Sequence, residues 1–211
     1  TVRSTGRARI RLVALGLPLL AISWGLLWSQ EGFWNPVYFT GLWSGAILLM
    51  YAGSWRGYPG IRSHFFMMLL SIPFWWWFEL INLRMNNWGY VEGDGYAWPV
   101  YIIFGSLAFS VVIPGLHAAC GLFIRKEPAL FNRSQGSKMW YRWEVVSGLI
   151  LQGMVFLLPD FFFPCVWVAP FLILDGVVGY QGGRSLARDI LRGRWQLAAA
   201  IATGGLLCGL L

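Results

Sequence analysis

Apolar residues in this chain come in unbroken runs, not in alternation with polar ones. Seven such runs stand out, near residues 12–28, 36–53, 64–83, 98–123, 143–159, 161–180 and 197–211. About twenty apolar residues in a helix cross the ~30 Å hydrocarbon core of a bilayer. Barrel strands would instead alternate over about ten positions. The pattern therefore predicts an all-α integral membrane protein, a single domain built as a bundle of seven transmembrane helices. Pro59, Pro128 and clusters of Gly and Ser punctuate the loops, and "LPDFFFP" reads as a tight hairpin between the short fifth segment and the sixth.

Composition agrees with that reading. The chain is 57% hydrophobic and 12% charged, against about 45–50% and about 25% in soluble domains. Too little charge is present to cover a soluble surface. The basic N-terminus runs into an apolar stretch with no small-residue cleavage site, which predicts a retained first helix. Cys120, Cys165 and Cys208 all lie in apolar segments, with no C-x-x-C spacing and no disulfide framework implied.

Charge gives an orientation. With the N-terminus cytoplasmic and the segments alternating, fifteen of the sixteen Lys and Arg residues fall on the inner side, and only Arg84 falls outside. Such a bias is the usual orientation signal. It turns the net charge of +7 into a property of cytoplasmic loops facing anionic lipid headgroups, and nucleic acid is not an expected partner. Outer loops carry Glu31, Glu92, Asp94 and Asp160, and Trp residues gather near segment ends, as interfacial belts do. These features predict a membrane location with the N-terminus and the basic loops cytoplasmic.

A faint internal echo links "NPVYFTGLWSGAILLMYAGSWRG" with "FPCVWVAPFLILDGVVGYQGGRS", aligning Pro36 with Pro164 and Arg56 with Arg184. Two parallel four-helix repeats would follow. On that alignment the chain stops just before a second Glu would fall, so we expect an eighth helix beyond Leu211.

Polar side chains inside the bilayer are costly and mark function. Ser71, Trp75, Glu79, Asn82 and Asn86 are spaced by three and four and share one helix face. Glu79 lies roughly 6 Å below the outer boundary, where it can clamp the 84–96 loop, contact a ligand or act as a general acid with Asn82. Asp175, on the sixth segment, is expected near the opposite face, roughly 15–20 Å away along the normal of a ~30 Å core. The two cannot then form an acid/base pair. His117, level with Asp175, is the expected contact for it, with Cys120 one turn on. Two such residues fall short of a zinc site, so no metal is expected, and His64 reads as interfacial. Trp75, Trp88 and Tyr90 complete the ligand-contact candidates. Arg84 is placed to pair with Glu92, Asp94 or Glu31. "EGDG" lacks the twelve-residue calcium pattern, and no P-loop, G-x-S-x-G or H-E-x-x-H is present.

The run Phe78-Glu79-x-x-Asn82 followed by Trp88-x-Tyr90, with "VYFTGLWSGAILL" and "SIPFWWWFELIN", resembles a family of bacterial polytopic membrane proteins with no established activity. The resemblance covers the second and third helices, and the sixth more loosely. It implies a several-helix inner-membrane protein and no mechanism. Three functions remain in view. The first is an accessory or scaffold subunit of a larger membrane complex, in contact with lipid, isoprenoid or pigment and with other transmembrane subunits. The second is an enzyme acting on a lipid or isoprenoid through Glu79. The third, ranked last, is a transporter with the fourth helix broken at Pro114-Gly115. No cofactor is specified by any motif.

Overall fold

The computed structural model describes residues 6–29, 32–54, 57–90, 95–124 and 136–211. Among these the chain is all-helical and has no strand. The helices are α1 (Gly6–Ser29), α2 (Asn35–Gly53), α3 (Ile61–Met85), α4 (Trp98–Phe109), α5 (Val112–Phe123), α6 (Lys138–Leu157), α7 (Pro159–Phe162), α8 (Cys165–Tyr180), α9 (Leu186–Leu191) and α10 (Gln196–Leu210). Three stretches are long and apolar enough to cross a membrane: Gly6–Ser29, Ile61–Met85 and Trp98–Phe123, the last being α4 and α5 together. Arg3, Arg56, Arg125, Lys126, Arg133, Glu31, Glu92 and Asp94 lie outside the described residues, and with them part of the charge pattern and the proposed partners of Arg84.

Each apolar run coincides with helix, but three local expectations change. The run at 98–123 is not one helix. It stops after Phe109 and restarts at Val112. Pro114 has no N–H to give the carbonyl four residues back, so the break falls at Ser110, a turn before the proline. The run at 161–180 is split, because Pro159 starts the short α7 and Pro164 separates α7 from α8. A further short helix, α9, forms in what reads as a basic inner loop.

The described residues divide into two compact units: those within 1–77, 89–124 and 200–211, and those within 78–88 and 125–199. In the first, α1 packs along α2, and α2 also packs on α4 and α5. Gly45 makes the α1–α2 approach possible, since a Cβ there would lie 2.5 Å from Leu20 N. The buried core of this unit is Ala46, Ile47, Met50, Tyr51, Val111, Ala118 and Ala119. In the second unit α6 packs along α8. There Gly148 brings the helices together, its missing Cβ leaving room for Ala169 O and Ile173. Bulky apolar side chains stay on the outside of both units, among them Leu15, Ile22, Phe65, Leu83, Ile150 and Leu206. Water gives such surfaces no support; hydrocarbon does.

Candidate functional site

Glu79 and Asn82, on the polar face of α3, are both engaged by the turn that follows the helix. Asn82 sits one turn before the helix end. Its Nδ2 donates to Trp88 O at 2.7 Å, and its Oδ1 accepts from Asn87 N at 3.0 Å and Trp88 N at 3.2 Å. Asn86 terminates the helix at φ 50°, a left-handed conformation that asparagine adopts more readily than most residues. The chain thus turns back over the last turn of α3. Glu79, buried at 9% exposure, accepts from Trp88 Nε1 at 3.2 Å. Trp88 so held lies near-parallel to Trp167 of α8, which stacks on Phe78 with centroids 4.6 Å apart. Glu79 and Asn82 together position one indole.

Asp175 does different work. Its carboxylate accepts from Ser185 Oγ at 2.7 Å, Leu186 N at 2.7 Å and Ala187 N at 3.1 Å. Ser185 is itself the N-cap of α9, accepting from Arg188 N. A carboxylate at the start of a helix meets both the open N–H groups and the positive end of the helix dipole. Asp189, fully buried in the same short helix, pairs with Arg184 and lies 3.8 Å from Arg194. Asp175 thus has a local capping role at the start of α9. His117 Nδ1 lies 3.1 Å from Tyr51 Oη, and the Tyr51 ring also packs near those of Tyr58 and His64. Both histidines of the chain thus gather around one tyrosine, and His64 is no longer simply interfacial. Burial pushes the Tyr58 hydroxyl up from its ordinary pKa, keeping it neutral. Among the described residues no three His, Cys, Asp or Glu side chains come together as a metal site.

Sequence reasoning passed over Glu144. It lies on the buried face of α6 with Tyr141, Gly148, Gln152 and Val155, beside the Asp175 carboxylate. Neither amide atom of Gln152 has a hydrogen-bond partner among the described residues, and Glu144 has the Asp175 carboxyl as its polar neighbour. The signal was the three-and-four spacing of these residues, masked by the neighbouring Trp143, which reads as an interfacial start.

Trp75 and Tyr90 belong to another site. Trp75 Nε1 points to Tyr90 Oη at 3.4 Å, and both line a cavity of about 590 Å³ in the first unit. That volume falls in the usual ligand-pocket range of ~300–1,000 Å³. Its wall is aromatic and aliphatic, with Phe39, Trp43, Phe104 and Phe109 prominent. The broken fourth run supplies one side: Gly105, Ala108 and Phe109 before the break, Val111, Val112 and Leu116 after it. The break is stapled from α3. Ser71 Oγ donates to Phe109 O at 2.5 Å and accepts from Ile113 N at 3.1 Å. In an unbroken helix those two backbone groups would bond each other; here a hydroxyl is inserted between them.

No protein-family profile, no curated protein and no solved structure matches the chain.

Proposed function

We propose that this chain is a seven-span protein of the bacterial inner membrane, N-terminus cytoplasmic, that holds a lipophilic molecule as a non-catalytic subunit of a larger membrane complex. The lipophile is a lipid, an isoprenoid or a pigment. Three helices of spanning length and the one-sided Lys and Arg distribution support the membrane part. The observation that carries the binding part is the aromatic cavity beside the α4–α5 break. Glu79 is committed to Trp88 Nε1, which favours an anchoring role for it over general-acid chemistry. A broken helix lining a cavity is also how transporters build sites, but the lining holds no charged side chain among the described residues with which to couple an ion.

The test is native purification in mild detergent, followed by solvent extraction and mass spectrometry. Wild type is expected to carry a lipophile near stoichiometry together with other subunits. Ala108→Trp, which fills the cavity, is expected to lose the lipophile with unchanged helical circular dichroism. A solitary protein with the same extract as the Trp variant would end this reading.

A further inference from the structure

The cavity wall restricts which lipophile fits, and the restriction rests on the binding reading above. Among the described residues the lining contains no Lys, Arg, His, Asp or Glu. Its polar groups are neutral: the Asn35 amide, tyrosine hydroxyls, indole N–H groups and the Cys208 thiol. Beside Phe109 at the break, Trp75 Nε1 donates to Tyr90 Oη, so those two polar groups meet each other. Asn35 opens α2, and Tyr101 lies in the first turn of α4, so both belong to the helix starts. Val111, Val112 and Leu116 belong to the break and to α5 beyond it, and are apolar. At the helix-start end, Tyr96 and Phe104 pack edge-to-face with Phe33, with ring centroids 5.1–5.6 Å apart. Tyr96 Oη is spent on Phe33 O at 3.1 Å. That end is therefore framed by rings, not by cations. A charged headgroup brought here would lose its hydration and find no counter-ion among the described lining residues, a heavy cost in an apolar surround. A hydroxyl or carbonyl would lose little, because neutral amide and phenol groups can meet it.

We propose that the cavity takes an uncharged chain lipophile with one neutral hydrogen-bonding end, an alcohol or ketone, seated by Asn35 and Tyr101 with its hydrocarbon against Val112 and Leu116. Phosphate-headed and ammonium-headed lipids are excluded from it.

The full chain in detergent micelles tests this by competition. Retinol, a neutral polyene alcohol, reports occupancy by quenching tryptophan fluorescence. Farnesol, farnesyl diphosphate and farnesylamine then compete. Farnesol is expected to displace retinol, with both charged analogues at least ~30-fold weaker. Asn35→Asp is expected to reverse the order of alcohol and amine, because it supplies the missing counter-charge. If Asn35→Asp does not fold, Tyr101→Phe is expected to weaken farnesol several-fold while leaving the corresponding hydrocarbon unchanged. Diphosphate competing as well as farnesol would overturn the inference, as would Asn35→Asp or Tyr101→Phe leaving the preferences as they were. In each of those cases binding that is lost in Ala108→Trp leaves the binding reading standing. No retinol binding to wild type would remove both.

Discussion

The two units spend the same currency, aromatic rings, in opposite ways. Around α8 the rings consume one another: Phe78, Trp167 and Trp88 stack, and Glu79 locks the last of them in place. Around the α4–α5 break the rings also pair, Phe109 with Trp75 and Trp76 and Phe104 with Tyr96, yet they frame a space of about 590 Å³ that none of them fills. Aromatic content is therefore no guide to binding. What separates the two is backbone regularity. A continuous helix lets facing side chains interdigitate, whereas the interruption after Phe109 turns its flanking residues out of register and leaves a wall without a partner. Polar groups divide along the same line. In the first unit a serine repairs a broken backbone; in the second, carboxylates are anchored on helix ends, with Glu144 the exception.

The largest test of this contrast is Asp175→Ala. It strips three donors at the start of α9 and is expected to cost about 3 kcal/mol in detergent unfolding followed by circular dichroism. Asn82→Ala removes three hydrogen bonds from the Trp88 turn and is expected to cost about 2 kcal/mol, with a change in tryptophan emission as the stack loosens. Ser71→Ala is expected to cost about 1 kcal/mol. That small loss should come with weaker lipophile binding, because Phe109 O and Ile113 N can then close on each other; a loss of stability with binding intact would separate the staple from the cavity. Glu79→Gln keeps an acceptor for Trp88 Nε1 and should lower stability by less than about 1 kcal/mol. An abolished cell phenotype at full stability would instead revive its catalytic reading. Glu144→Gln removes a buried carboxyl that lies against a second one, Asp175. It should move stability by less than about 1 kcal/mol, in the stabilising direction. If it costs as much as Asp175→Ala, the division between anchored and unanchored carboxyls fails.

Helix existence was legible because continuous apolar runs carry it locally. So was the shared face of Ser71, Trp75, Glu79 and Asn82, because spacing alone sets it. That Glu79 can clamp the 84–96 loop was legible too, but not that Trp88 is the residue held, since Trp88 returns over α3 only through the turn at Asn86. The break was half legible: Pro114 announces one, but its position depends on which carbonyl loses its donor and on a hydroxyl thirty-eight residues earlier in the chain. The short α9 escaped notice because six residues give too little periodicity, and its cap comes from Asp175 on another helix. The cavity was invisible in sequence, being a property of packing and not of any one segment.

The hydroxyl of Ser71 also ties the interruption of one helix to the sequence of another. A peptide of 98–123 alone in micelles would lack the inserted oxygen, and its Ile113 amide would bond Phe109 directly. The opened hydrogen bond of the fourth run is thus completed by a side chain of a different helix, so a change in α3 is felt in the backbone of α4 and α5.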